Sequence, residues 1–239
     1  GFDLTVRDLN NALVRSFVER GAASAVSPKE MTEKVDLVIT CLPSPAVCNS
    51  VMEGEDGIIN GLSEGKIWLE MSTTDAAEVG RLANIVESKS AEAMDCPVSG
   101  GCHRAATGNI SIFAGGDRKT FDRVLPVLTT MGRRILHTGP IGSASVLKVV
   151  TNYLATVHLT ALAEALTVAK KAGMDMNTAY EAIRISSGNS FVHETESQVI
   201  LNGSRDINFT MDLVVKDIGL FDKLAKVNNV PVEIAPLVL

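Results

Sequence analysis

Short apolar strands alternate with helical segments over the first 140 residues, and this alternation constrains the fold more than any other feature of the chain. The run 36–43 is a continuous apolar strand pattern that ends at a proline, as is usual for a strand buried on both faces of a sheet, and 66–72 predicts another strand. Segment 11–21 instead has its apolar residues on one helical face and a glycine at its end. The pattern predicts an α/β fold with a Rossmann-like, doubly wound, mostly parallel sheet.

The organisation of the chain changes after Gly142. Before it, we predict strands at 2–8, 36–43, 66–72, 92–98, 110–116 and 133–139, with helices at 11–21, from about 75, and at 118–132. After it comes one long helix that closes near Gly173, followed by helical segments and polar loops. We therefore predict a Rossmann-like domain at 1–142 and an all-α domain at 143–239 that begins with a long interdomain helix.

The two ends of the chain lie inside predicted elements. The sequence opens within a strand, without an initiator methionine, and stops at "PLVL" within a helix. A fold of this kind starts with a strand, a glycine-rich loop and a helix, which together take roughly 20–30 residues. We expect that this first unit lies outside the sequence and that the helical domain is incomplete.

Composition excludes several classes of function. With 46% hydrophobic and 21% charged residues and a net charge of −6, the chain is not expected to attract nucleic acid or anionic lipid. The apolar stretch 146–169 is interrupted by four polar residues, so it reads as a buried or interdomain helix rather than a membrane span. The four cysteines and four histidines show no metal-ligand spacing, which favours free thiols in a reducing compartment and no metal site.

The segment "DCPVSGG" (95–101) ends an apolar strand in a serine and two glycines. Two glycines can form a plain turn. They can also let the backbone approach a ligand directly, because no Cβ blocks the approach. A hydroxyl beside exposed backbone N–H groups would suit an anion such as a carboxylate.

Asp8 ends the first predicted strand. In a dinucleotide-binding fold, an acidic residue at the end of the second strand accepts hydrogen bonds from the adenosine ribose and repels the 2′-phosphate of NADP. An aspartate before Leu-Asn is equally suited to a turn or a helix cap, so the residues alone leave both interpretations open.

Lys148 is a cation near the start of the long helix, with apolar residues almost all round it. The apolar surroundings and the positive end of the helix dipole both disfavour its charged form, which suits a group that gives and takes a proton. Asn152, four residues on, shares its face. The alternative is a lysine that extends to solvent beside a structural asparagine.

Five segments taken together resemble the β-hydroxyacid dehydrogenase family, which includes 3-hydroxyisobutyrate dehydrogenase and tartronate semialdehyde reductase. "DCPVSGG" is similar to the family's substrate-binding segment, and "GPIGSASVLKVVTN" (139–152) is similar to its catalytic segment. "ITCLP", "EMSTT" and "VVKDIGL" resemble three cofactor-contacting segments. The matches follow the family's order and cover nearly the whole chain.

The resemblance implies a role for each matched residue. Lys148 would be the catalytic lysine, and the substrate would be held by Ser99, Gly100, Gly101 and Asn152. The cofactor, NAD rather than NADP, would contact Asp8, Leu42, Pro43, Thr73 and Lys216. The implied activity is reversible hydride transfer between NAD(P) and a small 3-hydroxy acid, an alcohol-to-semialdehyde reaction like that of 3-hydroxyisobutyrate.

Two positions depart from the family pattern, and other activities remain open. Ala144 stands where many members carry a third glycine, and Thr151 stands where many carry an asparagine. The alternatives are a catalytically inactive cofactor-binding or oligomerisation relative, an imine reductase-like enzyme, and a 6-phosphogluconate dehydrogenase-like enzyme of phosphorylated sugar acids. The presence of Lys148 disfavours the first two, and Arg104 alone is thin support for the third. We expect a homo-oligomer, dimer or tetramer, in the cytoplasm or mitochondrial matrix.

Overall fold

The computed structural model describes residues 1–204, 206 and 209–239, which form two compact units, Gly1–Lys148 and Val149–Leu239. The long helix that begins at Ser143 starts in the first unit and continues in the second. The structure confirms an α/β part followed by a helical part. The domain boundary near Gly142 stays a prediction.

The first unit contains eight described strands and six helices that lie wholly within it. The strands are β1 (Thr5–Val6), β2 (Ala23–Ser24), β3 (Leu37–Thr40), β4 (Ile67–Glu70), β5 (Glu92–Asp95), β6 (Val98–Ser99), β7 (Ile110–Gly115) and β8 (Gly132–Gly139). The helices are α1 (Asn11–Val18), α2 (Pro28–Lys34), α3 (Pro45–Glu53), α4 (Ala76–Ser88), α5 (Gly101–Ala106) and α6 (Arg118–Met131).

The strands form two sheets. β1 pairs with β2 in a parallel two-stranded sheet, and the other six form a second sheet in the order β3-β4-β5-β7-β6, with β8 beside β7. The pairs β3/β4, β4/β5 and β7/β8 are parallel, whereas β7 runs antiparallel to β5 and β6. The predicted strand 92–98 is two strands, because Pro97 between them has no N–H to donate to a ladder. The predicted strand 2–8 shortens to Thr5–Val6.

The central strands β4 and β5 of the larger sheet are buried on both faces, whereas most residues of β8 are exposed or half-buried. In β4, Trp68 joins one cluster of buried side chains, and its neighbours Ile67 and Leu69 join another. The first cluster includes Val38, Met52, Ile58, Leu82 and Val86, and the second includes Met94, Ile112, Phe121, Val124 and Leu128. Alternation of side chains across one strand therefore supplies both layers of the core.

The second unit is helical throughout its described residues. After the continuation of α7 (Ser143–Lys171) come α8 (Met176–Arg184), α9 (Phe191–Asn202), α10 (Met211–Val227) and α11 (Ile234–Val238). Tyr153 on α7 stacks on Phe221 of α10 with ring centroids 3.9 Å apart. His193 is fully buried, and its Nε2 lies 3.0 Å from the Tyr180 carbonyl oxygen, which ties α9 to α8.

Helix α7 is long and apolar enough to cross a membrane if only length and composition are considered, with 29 residues and a mean hydropathy of 1.3 in its qualifying 18-residue window. The central helix of a globular domain has the same two properties, so they are weak grounds for a membrane span. Lys148 and Glu164 interrupt the apolar stretch. The interpretation of α7 as an interdomain helix stays a prediction.

Leu128→Ala should destabilise the first unit, because Leu128 is fully buried between α6 and the sheet. Removing a buried leucine side chain leaves a cavity that costs about 2–5 kcal/mol of the free energy of unfolding. Leu9→Ala is the matched control, since Leu9 is 89% exposed and should change stability by no more than about 0.5 kcal/mol. Urea unfolding of the two variants measures the difference, and equal losses would contradict the assigned core.

Candidate active site

Three parallel strands end in one row at one edge of the larger sheet. Thr40 of β3 pairs with Glu70 of β4, and Glu70 pairs with Asp95 of β5. The loops that follow these strands therefore leave the sheet side by side. In open α/β sheets this carboxyl edge is where ligands bind.

The loops leaving this edge carry most of the predicted contact residues. Leu42 and Pro43 follow β3, and Thr73 follows β4. The segment 99–101 begins at the last residue of β6, the short strand that comes after β5. The backbone N–H of Leu42 donates a 2.8 Å hydrogen bond to Ser72 Oγ, which joins the first two loops directly.

A fully buried carboxylate, that of Glu70, lies beneath these two loops. Its Oε1 accepts a 2.6 Å hydrogen bond from Ser72 N–H, and its Oε2 accepts 2.8 Å bonds from Thr40 Oγ1 and Cys48 Sγ. Trp68 Nε1 donates to Thr40 Oγ1 at 2.9 Å and extends the network into the core. Glu70 thus ties both loops and α3 to the end of β4.

The thiol of Cys48 is held in its neutral form by this network. Burial raises the pKa of the Cys48 thiol, and the neighbouring Glu70 raises it further. Burial likewise raises the pKa of Cys96. These two thiols are core groups rather than nucleophiles. Across residues 1–204, 206 and 209–239, no three His, Cys, Asp or Glu side chains are grouped so as to hold a metal ion.

A second fully buried carboxylate, that of Asp95, reaches the start of the long helix α7. Its Oδ1 accepts a 2.8 Å hydrogen bond from Gly142 N–H, and its Oδ2 accepts bonds from Ser145 N–H (2.7 Å) and Ser145 Oγ (2.8 Å). Burial raises the pKa of the Asp95 carboxyl above its ordinary value, and these hydrogen bonds only partly offset the shift. Lys148 lies three residues beyond Ser145 and is 7% exposed.

The Ser-Gly-Gly segment has the backbone that its glycines predict. Ser99 ends β6 opposite Ser111, and Gly100 and Gly101 have φ of +129° and +80°. Residues other than glycine rarely adopt these φ values. A Cβ on Gly100 would come within 2.9 Å of Arg104 Cδ, a contact that the flexible arginine side chain can relieve, so the positive φ is the stronger requirement for glycine. A role for this backbone in binding a substrate stays a prediction.

Asp8 lies two residues after β1 and is exposed. Its Oδ1 accepts a 2.7 Å hydrogen bond from Asn10 N–H, and Asn10 in turn caps α1. The turn interpretation of Asp8 is therefore present in the structure, and it does not conflict with a role in binding ribose. β1 belongs to the two-stranded sheet. Strand pairing therefore does not relate Asp8 to the row of Thr40, Glu70 and Asp95 at the carboxyl edge of the larger sheet.

Asn152 and Lys216 belong to the second unit, where Asp217 joins them. Asn152 Nδ2 donates to Asp217 Oδ2 at 2.5 Å, and Lys216 Nζ lies 2.8 Å from Asp217 Oδ1. Asp217 is 1% exposed, so its carboxyl group needs polar partners within the protein. The structure thus brings together two side chains that the sequence predicts separately, 64 positions apart.

Sequence reasoning missed the three buried carboxylates, Glu70, Asp95 and Asp217. A signal was present in each case, because every one lies at the end of an apolar run or inside an apolar helix. An acidic residue in such a position must have hydrogen-bond donors from another segment. The donors themselves could not be identified without the fold.

The carboxyl edge of the sheet and the loops on it form the kind of crevice in which open α/β sheets bind dinucleotides. Two family models match the chain. Residues 1–139 match the NAD binding domain of 6-phosphogluconate dehydrogenase, and residues 142–239 match the NAD-binding domain of NADP-dependent 3-hydroxyisobutyrate dehydrogenase.

Individual proteins agree with these matches. The chain is 32% identical to 2-(hydroxymethyl)glutarate dehydrogenase of Eubacterium barkeri, over 94% of this chain and 75% of that protein. It is 30% identical to the mitochondrial 3-hydroxyisobutyrate dehydrogenase of Rattus norvegicus, over 97% and 71%. The crystal structure of 3-hydroxyisobutyrate dehydrogenase from Salmonella typhimurium superimposes with a TM-score of 0.88 at 28% identity, covering 98% and 82%.

The chain belongs to the β-hydroxyacid dehydrogenase family, as its five motifs predict. It is an oxidoreductase that acts on CH–OH groups with a nicotinamide dinucleotide as cofactor.

Glu70→Ala should destabilise the first unit by about 1–3 kcal/mol, because it leaves the buried Ser72 N–H and Thr40 hydroxyl without their acceptor. Glu87→Ala is the control, since Glu87 is exposed on α4 and should be almost neutral. Chemical denaturation followed by tryptophan fluorescence suits this test, because Trp68 belongs to the same network and is the chain's single tryptophan. A Glu70→Ala protein as stable as wild type would show that the network is not structural.

Proposed function

We propose that the protein catalyses the reversible oxidation of the primary alcohol of a small 3-hydroxy acid, with three or four carbons, to its semialdehyde. The observation that carries the proposal is the link between two motifs: Asp95, which opens the substrate-binding segment, holds the helix start from which Lys148 projects. The names of the two relatives, dehydrogenases of 3-hydroxyisobutyrate and 2-(hydroxymethyl)glutarate, support an alcohol carried near a carboxylate.

In this proposal the substrate carboxylate binds at Ser99, Gly100, Gly101 and Asn152. The serine hydroxyl and the backbone N–H groups of the glycines supply donors for an anion. Asn152 donates one amide hydrogen to Asp217, which fixes the orientation of its side chain.

Lys148 is the general acid and base. In oxidation its neutral Nζ takes the proton of the substrate hydroxyl, and in reduction the ammonium returns a proton to the carbonyl oxygen. Lys148 is 7% exposed, so water has little access to the group that would transfer the proton.

The residues at the sheet edge fit a nicotinamide dinucleotide. Leu42, Pro43 and Thr73 would contact it from loops tied by the Leu42–Ser72 hydrogen bond, Lys216 would contact it from α10, and Asp8 would hold the adenosine ribose. When bound, the nicotinamide supplies the hydride acceptor or donor. We favour NAD over NADP because Asp8 would repel a 2′-phosphate.

Three alternatives remain distinguishable. An inactive relative would not need Lys148, and neither would an imine reductase. A phosphorylated substrate would call for more cations than Arg104 beside the site. We further propose a homo-oligomer, dimer or tetramer, of the cytoplasm or the mitochondrial matrix. Turnover of a panel of short 3-hydroxy acids, cyclic imines and phosphorylated sugar acids separates these enzyme classes.

Lys148→Ala should lower kcat for the preferred 3-hydroxy acid by about 10²–10⁴-fold while binding of the cofactor stays nearly unchanged. Lys171→Ala, an exposed lysine at the far end of the same helix, is the control and should keep wild-type kcat. Steady-state kinetics and fluorescence titration with NADH measure the two quantities. Near-normal turnover by the Lys148→Ala enzyme would refute the role of this residue.

Wild-type kcat/KM should be higher with NAD than with NADP, and Asp8→Ser should reduce this preference. The serine keeps a hydrogen-bonding oxygen but removes the charge that faces a 2′-phosphate. Asp3→Ser, a nearby exposed aspartate, should leave the preference unchanged. A wild-type preference for NADP would be inconsistent with the role given to Asp8.

A further inference from the structure

We propose that Asp95 is the positioning residue for Lys148, holding the start of helix α7 against the strand that leads to the substrate-binding segment. The inference rests on the proposed function of Lys148 and goes beyond it, since it assigns the buried carboxylate that fixes where the lysine stands.

The contacts of Asp95 bridge two distant parts of the sequence. Both of its carboxylate oxygens are used, Oδ1 by Gly142 N–H at 2.8 Å and Oδ2 by Ser145 N–H and Oγ at 2.7 and 2.8 Å. The first N–H groups of a helix have no partner within the helix, and a carboxylate there also interacts favourably with the helix dipole. Asp95 therefore caps α7 from a strand that lies 47 and 50 residues earlier in the chain.

The same contacts determine the orientation of α7 about its own axis. Two hydrogen bonds to one residue, Ser145, fix which face of the helix turns toward β5. Ser145 and Lys148 are three residues apart and share a face, so the direction of the lysine follows from the anchoring of the serine. Both residues are buried, with 1% and 7% exposure, which leaves little freedom for either.

The surrounding backbone is built to allow this approach. Gly115 pairs with Asp95 in the sheet, and a Cβ on it would lie 2.4 Å from Asp95 Oδ1 and 2.8 Å from Ser143 Oγ. Gly142 has φ of +85° and would place a Cβ 3.3 Å from the Ala76 carbonyl oxygen. Ser143 Oγ lies 2.7 Å from Thr138 Oγ1, which gives the helix start a second anchor on β8.

The consequence for the reaction is geometric. A proton-transfer group must stay within hydrogen-bond reach of the substrate hydroxyl, and a displacement of about 1 Å can cost about 10²-fold in rate. Asp95 is the last residue of β5 and lies four residues before Ser99. Its side chain therefore links the strand that leads to the proposed substrate-binding segment with the helix that carries the proposed base.

The test is a double-mutant cycle with Asp95→Asn and Lys148→Ala in the full chain. Asn is nearly isosteric, but its amide nitrogen would meet donors that cannot turn away, the N–H of Gly142 or of Ser145. In the wild-type background, Asp95→Asn should lower kcat by about 10- to 100-fold, with KM for the cofactor changed by less than about 2-fold. In the Lys148→Ala background the same change should lower kcat by less than about 3-fold, because no lysine is left to position.

Two further variants test whether the loss of kcat is specific to the contact between Asp95 and α7. Glu92→Gln replaces a carboxylate at the other end of β5, where it binds Thr120 and Arg123, and should leave kcat unchanged while lowering stability. Ser145→Ala removes one of the three hydrogen bonds and should give a smaller loss of kcat that is also absent in the Lys148→Ala background. If Asp95→Asn does not fold, the Ser145→Ala cycle decides the question.

Three outcomes would overturn the inference, and they are distinguishable. A wild-type kcat for Asp95→Asn would show that the contact does not position the base. Equal losses in both backgrounds would show a structural role that does not act through Lys148. A fully active Lys148→Ala enzyme would overturn both this inference and the proposed role of the lysine, whereas the first two outcomes leave that role intact.

Discussion

The parallel pairing of β3, β4 and β5 is the constraint on which the rest of the first unit depends. Parallel register aligns Thr40, Glu70 and Asp95, so three loops separated by 30 and 25 positions of sequence leave the sheet at one edge. Apolar side chains on both faces fix this register, because a slip by one residue would turn Trp68 and Leu69 to the wrong clusters. The alternation of side chains that builds the core therefore also places these three loops side by side.

Three buried carboxyl groups each fix a segment that carries predicted site residues. Glu70 accepts hydrogen bonds from Thr40, Ser72 and Cys48, and Asp95 holds the start of α7. Asp217 contacts Asn152 and Lys216 within the second unit. A carboxyl group that is nearly inaccessible to water is stable only with its hydrogen-bond partners in place. Folding therefore requires each carboxyl group to lie beside the segment that donates to it, and this fixes the position of that segment relative to the carboxyl group.

Sequence patterns predicted the elements and the candidate residues, but not the contacts between them. Apolar periodicity located the principal strands and the long helix α7, and five motifs located Ser99, Lys148 and Asn152. The break of 92–98 at Pro97 and the antiparallel pairing of β7 were missed, since both depend on how the chain turns after β5. The partners of Glu70, Asp95 and Asp217 were missed for a related reason: a buried acid signals that donors exist, but only the fold brings them within reach.

The division of the chain leaves the predicted site residues in two groups. Lys148 is the last residue of the first unit and lies three residues after the anchored Ser145, whereas Asn152 and Lys216 belong to the second. In the first unit, Asp95 joins the end of β5 to the start of α7. In the second, Asp217 contacts both Asn152 and Lys216. In each unit a buried carboxyl group therefore fixes a segment that carries predicted site residues, a link that the sequence motifs by themselves do not contain.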